Sequence, residues 1–347
     1  MASVSGVPIW PDAGIRSAWL SQWQLPSLSV GIQIGLFKLL DSNPGLTSAQ
    51  ISESLKVSKR GIDALTAVLG ALTFLECRGG AFHNSVETSL YLLEGSQFFW
   101  GHMLMGRPGS EASALHRRLH DAIVHDQVDP GAVNEWEAGS LPDPERAAAI
   151  TRGMHSHSVA PAMALAASPR FKALNVTKLL DVGGGSGCFP IAMAQANPAF
   201  KGVVMEIDTV GKCALEFVAE AKVSEQITTI ARNMFKDAWP TPAEGFNGVF
   251  FSNIFHDWNH AQNTHLARSA FNTLAPGGRI LLHETLLNDD STGPFVAAAF
   301  SMHMLVYTRG KQFTFKELQE LLTSVGFVDV QVFPTYSFYS IVHARKP

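Results

Sequence analysis

Residues 178–196 read KLLDVGGGSGCFPIAMAQA: a short apolar run, a cluster of glycines around one serine, and a second apolar run at helical spacing. A strand that turns through glycine into a helix is the opening half of a β-α-β unit. The chain beyond it keeps that rhythm. Apolar strand candidates follow as KGVVMEI at 201–207, QITTIA at 226–231, NGVFFS at 247–252, RILLHE at 279–284, VDVQV at 328–332 and SFYSIVHA at 337–344. Pro276-Gly277-Gly278 turns the chain into RILLHE, the fifth strand counting from KLLDV, and Thr314-Phe315-Lys316-Glu317 reads as a capping box opening the helix KELQELLTSV. The pattern predicts an α/β domain with a mostly parallel, Rossmann-like sheet.

Upstream the texture is helical. LSVGIQIGLFKLL (28–40) reads as one amphipathic helix, Pro44-Gly45 breaks it, and Thr47 or Ser48 caps SAQISESL (48–55). A third helix, GIDALTAVLGALTFLE (61–76), leads through Gly79-Gly80 into AFHNS, which would form the wing of a helix-turn-helix unit. A DNA-reading helix needs cations on its face, and here only Lys59 and Arg60 stand ready, so a buried or dimer-forming module is expected instead. Residues 94–172 read as further helices with breaks near Asp129-Pro130-Gly131 and Leu141-Pro142-Asp143-Pro144. His116, His120 and His125 share one of them; with no Cys or HExxH glutamate beside them they are expected to be a solvated face, and no metal site is expected.

The 347 residues favour two domains. A net charge of −4 with no Lys/Arg run makes nucleic acid an unsuitable partner. Three widely spaced cysteines fit a reducing compartment, and the start MASVSGVPIWPDAG has neither the charged nor the apolar region of a signal peptide. With no uninterrupted apolar stretch of about 18 residues, the expectation is a cytoplasmic protein that does not enter a membrane.

The glycine loop invites a nucleotide-like ligand, but the dinucleotide spacing G-x-G-x-x-G fails in both registers. Starting at Gly183 it ends on Cys188, and starting at Gly185 it ends on Pro190. Glu206, closing the next strand, can accept both ribose hydroxyls of an adenosine. S-adenosylmethionine has an adenosine and no pyrophosphate, and Asp181 would stand beside its ammonium group. Methyl transfer to a hydroxyl also needs a base. His256, after the fourth strand and followed by Asp257-Trp258, lies at the carboxyl edge of the sheet, where open α/β folds bind ligands. Glu284, ending the fifth strand, is placed to orient it; Asp257 is grouped with the catalytic residues although its side chain is expected to point elsewhere.

LLDVGGGSG, MEID, Asn233-Met234-Phe235, SNIFHDW (252–258), LAPGGRILLHE and GKQFTFKELQELLTSVGF together resemble the small-molecule O-methyltransferase family that includes the caffeic acid and hydroxyindole enzymes. The resemblance covers nearly the whole chain. It implies a winged-helix-like dimerisation domain at 1–100, a helical linker and pocket-lining segment at 101–172, an S-adenosylmethionine-binding domain at 173–347, and a homodimer. It further implies that Gly183 and Gly185 frame the methionine portion, Glu206 holds the ribose, and Asn233, Met234 and Phe235 surround adenine. The family more often has Asp at positions 206 and 233; an Asn oxygen could still pair with adenine's exocyclic amine. Ser252 and Asn253 stand where relatives often carry a Lys or Arg near the cofactor. In Gly310-Lys311-Gln312-Phe313-Thr314, Gln312 replaces the second Glu that flanks the histidine in plant members. Met154, His157, Met302, His303 and Met304 would line the substrate. The function implied is methylation of a phenol or enol hydroxyl on a small, largely apolar secondary metabolite. Two other readings remain: a cofactor-binding enzyme that catalyses a rearrangement or cyclisation, and a DNA-binding or scaffold module.

Overall fold

The single helix expected over 28–40 is two, because Gly35 between them takes φ +77°, a left-handed conformation that ends the first turn sequence and costs glycine nothing sterically. The computed structural model describes residues 11–105, 112–128 and 143–347. The opening segment to Trp10, the break at Asp129-Pro130-Gly131 and the Leu141-Pro142 half of the next one lie outside them. The chain begins with α1 (Ala13–Leu20), α2 (Gln24–Gln33), α3 (Leu36–Ser42), α4 (Ser48–Leu55) and α5 (Lys59–Ala71). Thr47 closes a full capping box on α4 with Gln50, as its sequence suggests. The third helix is shorter than its apolar pattern: LEC departs into β1 (Leu75–Arg78), which pairs antiparallel with β2 (Ala81–Asn84) across Gly79-Gly80. Short helices α6 (Val86–Tyr91) and α7 (Gly101–Leu104) and then α8 (Ala112–His125) follow.

After α9 (Pro144–Ala167) and α10 (Pro169–Lys172) the alternation begins: β3 (Lys178–Val182), α11 (Cys188–Ala196), β4 (Lys201–Glu206), α12 (Asp208–Glu220), β5 (Ile227–Ala231), β6 (Gly248–Ser252), α13 (His260–Thr273) and β7 (Arg279–Thr285). Then come α14 (Phe295–Tyr307), α15 (Phe315–Val325), β8 (Val328–Pro334) and β9 (Tyr339–Arg345). The seven strands form one sheet in the order β5-β4-β3-β6-β7-β9-β8, parallel except that β9 runs antiparallel to β7 and to β8. From β3 the chain moves outward to β4 and β5, then returns to β6 on the other side of β3. That reversal opens a crevice at the carboxyl ends of β3 and β6, the place where such sheets bind ligands. No helix among the described residues is long and apolar enough to cross a membrane.

Packing divides the described residues into two compact units, each assembled from separated segments: those of 13–128 with 286–315, and those of 143–285 with 316–347 and residues 11–12. Against the expected segments 1–100, 101–172 and 173–347, the linker divides between the two units, and two helices mark the exchanges. α9 packs on α11 and α12 and so belongs with the sheet. α14, apolar on nearly every face, packs most closely on α5 and so belongs with the helices.

Arg60 holds that second exchange in place within the helical unit. Its guanidinium donates to the carbonyls of Leu305, Thr308 and Gly310 at 3.1–3.2 Å, where α14 ends with unsatisfied acceptors, and its Nε pairs with Asp126 at 2.7 Å. Lys59 pairs with Asp63. Both cations weighed for DNA contact are therefore engaged inside this unit. Arg60→Ala should lower the unfolding free energy by about 2–4 kcal/mol, since charged hydrogen bonds are worth about 1.5–3 kcal/mol each before relaxation. Arg60→Lys should restore little of it, lacking the planar fork. A urea midpoint unchanged in Arg60→Ala would refute this account.

His116 and His120 do not face a shared ligand: His116 Nε2 lies 2.7 Å from Gln33 Oε1, and His120 Nδ1 lies 3.4 Å from Asp121. Among the described residues no group of three or more His, Cys, Asp or Glu could hold a metal ion.

Candidate active site

The loop after β3 turns through three left-handed glycines, Gly183, Gly185 and Gly187, at φ +65°, +56° and +72°. At Gly183 the conformation alone favours glycine, and so does the space, because a Cβ there would sit 2.5 Å from Ile254 Cδ1 in the loop after β6. The two loops thus meet at bare backbone across the switch point. Beneath the first, Asp181 is 1% exposed, and its Oδ2 is buried without a hydrogen-bond partner. Burial, together with the neighbouring charge of Glu206, pushes its carboxyl up to about 8. A cation placed beside such an acid would draw off its proton. Glu206, at the end of β4, is pushed up by burial to about 7, against the backbone N–H groups of Ile207 and Gly185, which favour its charged form. Ile207 N–H donates to Glu206 Oε2 at 2.7 Å. The acid, the bare loop and the second carboxylate fit the ammonium and ribose of S-adenosylmethionine.

Asn233 follows β5, but its side chain is not free to act as expected. Its Oδ1 accepts from the backbone N–H groups of Phe235 and Lys236 at 2.9 and 3.2 Å, closing an Asx turn. Both acceptor positions are spent on the turn, so pairing with an exocyclic amine is not available to that oxygen. Met234 gives its carbonyl to Trp239 Nε1, and Phe235 stands edge-on to Trp258 at 4.7 Å.

His256 lies on a single 3₁₀ turn, Phe255–Asp257, after β6. Its Nδ1 is 3.0 Å from Glu284 Oε2, with the two side chains 4% and 1% exposed. The other oxygen of Glu284 accepts from Ile254 and Phe255 N–H at 3.2 and 3.1 Å, so the carboxylate is clamped by the loop that carries the histidine. Asn263 of α13 donates to the carbonyls of Phe255 and Trp258, which bracket His256. Asp257 corrects the expectation that it points away: its Oδ1 lies 3.6 Å from His256 Nε2. That is too long for a hydrogen bond and close enough to act by charge. Burial lowers the basicity of His256, but Glu284 and Asp257 outweigh it and hold the imidazole at about 9.

Ser252 and Asn253 are anchored in the sheet. Ser252 Oγ meets His283 Nδ1 at 3.0 Å, and Asn253, at φ +54°, donates from Nδ2 to the Tyr339 hydroxyl at 3.1 Å. Met154 on α9 is 53% exposed, and His157 Nδ1 lies 3.3 Å from Ser158 Oγ. The remaining predicted residues belong to the helical unit. There Met302 and Met304 are buried, His303 is surrounded by the rings of Trp19, Trp23, Phe300 and Tyr307, and the buried Gln312 donates its backbone N–H to Ser301 Oγ. Sequence reasoning missed Asn263 and the Ile254 and Phe255 amides. The first reads as one polar residue in a helix, and backbone donors carry no sequence signal.

A family model described as an O-methyltransferase domain matches residues 112–328. The chain belongs to the O-methyltransferase family. Among relatives, the 3-hydroxy-5-methyl-1-naphthoate 3-O-methyltransferase of Streptomyces sahachiroi is 31% identical over 314 residues, covering 89% of this chain and 87% of that one. The L-tyrosine C(3)-methyltransferase of Streptomyces lavendulae is 28% identical over 356 residues, covering 92% and 88%. In fold, the crystal structure of an O-methyltransferase family 2 protein from Planctomyces limnophilus DSM 3776, in complex with apigenin, superposes with a TM-score of 0.83 over the whole of both chains at 24% identity. As an O-methyltransferase, this enzyme uses S-adenosylmethionine as its cofactor.

Proposed function

We propose that this O-methyltransferase methylates a phenol or enol hydroxyl on a small, largely apolar secondary metabolite, with His256 as the general base. The observation that carries the reading is the buried His256–Glu284 pair at the carboxyl edge of β6 and β7, with the imidazole held at about 9. S-adenosylmethionine supplies an electrophilic methyl carbon, and this chain's residues bind it, orient the acceptor and remove a proton. A free imidazole near ~6.5 would take a proton from a phenol near ~10 at a cost of about 4–5 kcal/mol; raised to about 9 it does so at a cost of about 1 kcal/mol. Glu284 fixes Nδ1 and leaves Nε2 toward the acceptor, and Asp257 adds charge near that nitrogen.

Asp181 would face the ammonium group, Gly183 and Gly185 the methionine portion, Glu206 the ribose, and Met234 with Phe235 the adenine. Asn233 serves through the turn it closes, and Ser252 and Asn253 through their anchorage. Met154 and His157 are the lining candidates on α9. The names of the naphthoate and tyrosine relatives support an aromatic acceptor. Exposed Ile15, Leu25, Phe98, Trp100 and Met103 support a homodimer formed through a winged-helix-like helical unit. The three free cysteines fit a cytoplasmic location.

The test is incubation with S-adenosylmethionine and a panel of hydroxynaphthoates, hydroxyindoles, catechols, enols and anilines. A mass gain of one methyl group is expected on hydroxylated rings, with the new carbon in an ether by NMR. A product of unchanged mass would favour rearrangement or cyclisation, and a ring-carbon methyl would overturn the oxygen assignment.

A further inference from the structure

Three left-handed glycines in five residues give the loop after β3 great freedom before a ligand arrives, and something outside the loop must limit it. The one hydroxyl in that loop, Ser186, is 3% exposed. Its Oγ lies 2.7 Å from Nδ1 of His155, which reaches across from α9. The imidazole of His155 is in turn stacked on Phe217 of α12, with centroids 4.2 Å apart and planes 26° from parallel. Ser186 is thus tied to a ring whose orientation a second helix sets.

We propose that His155 is a positioning residue for the cofactor: seated on Phe217, its imidazole fixes Ser186 and so holds the Gly183–Gly187 loop in the form that receives S-adenosylmethionine. The inference rests on that loop being the cofactor site. Loss of the bond returns conformational freedom to the free loop, and binding must remove it again. Affinity falls while the chemical step, carried out by His256, does not. Ordinary packing of α9 on α12 would instead be served by any flat ring at 155.

Two variants separate these roles. His155→Phe keeps a ring over Phe217 and loses the bond; His155→Asn loses the ring and keeps a polar group near the position of Nδ1. Calorimetric titration with S-adenosylmethionine and S-adenosylhomocysteine should show about tenfold weaker binding of both to His155→Phe, with partial recovery in His155→Asn. Ser186→Ala should lose about the same factor, and His155→Phe with Ser186→Ala should lose no more than either alone, because both remove one bond. At saturating cofactor, turnover of His155→Phe should match wild type. Wild-type affinity in His155→Phe, or losses that multiply in the double variant, would overturn the proposal while leaving the loop as the cofactor site. Failure of the wild-type protein to bind either ligand would overturn the cofactor assignment and this inference with it.

Discussion

His256→Ala should lower kcat for methylation of a phenol by about 10²–10⁴-fold while leaving the Kd for S-adenosylmethionine close to wild type. The size follows from removing a buried base whose second nitrogen is oriented by Glu284; the other titratable group on the turn, Asp257, is raised by burial only to about 6 and is the weaker base. The pH profile adds a second readout. In the free enzyme burial pulls the imidazole down, Glu284 and Asp257 lift it to about 9, and only its neutral form accepts a proton. At pH 7 roughly 1% is neutral, so kcat/KM should climb about tenfold per pH unit toward pH 9 and then level. His256→Ala should lose that limb. Glu284→Gln should move it to lower pH and reduce the plateau, since on the plateau either base is fully neutral and the weaker one has less driving force. Full turnover by His256→Ala on an un-ionised phenol would reduce the role of the site to proximity.

Glu206→Ala should weaken S-adenosylmethionine and S-adenosylhomocysteine equally, by about 10²-fold or more. A carboxylate that accepts from two hydroxyls contributes hydrogen bonds of about 1.5–3 kcal/mol each, and each 1.4 kcal/mol is tenfold in Kd. The two ligands share the ribose and differ at sulfur, so a loss confined to one of them would remove Glu206 from the ribose. The same carboxylates predict how binding varies with pH. Asp181 at about 8 and Glu206 at about 7 hold protons in the free protein that a cationic ligand expels. Affinity for S-adenosylmethionine should therefore rise between pH 6 and 9, with protons released to buffer during titration. Because Glu206 contributes to the elevation of Asp181, the residual rise in Glu206→Ala should shift to lower pH.

The strands and the glycine loop were legible because each is a local pattern: an apolar run of five to seven residues bounded by turn formers reads the same in isolation as in the sheet. Glu206, His256 and Glu284 follow from it, since a parallel sheet sends every strand's last residue to one edge. What escaped reading depends on contacts distant in sequence or on groups without identity. The Ile254 and Phe255 amides reach Glu284 from about 30 positions away, and any residues could supply them. Asp257 turns toward His256 because a 3₁₀ turn, not a strand or an α-helix, carries the pair. Asn233 looked like an adenine partner until its oxygen proved committed to the turn it begins. Residues 295–307 were read only as lining within the 173–347 domain, and the helix they form could have joined either unit, for an all-apolar helix suits either core.

That ownership bears on how the molecule is made. Arg60 meets Thr308 across 248 positions, so α1 to α8 leave the ribosome long before the helix that completes them. Until residue 307 emerges, the face of α5 that α14 will cover has no partner of its own chain, and the intervening strands of the sheet are synthesised during the wait. The helical unit is the first begun, yet it is completed at Phe315 only shortly before the sheet unit, whose last two strands follow it. Closing so distant a contact is slow compared with forming the local helices, and the nascent chain carries an open apolar seat through most of its translation.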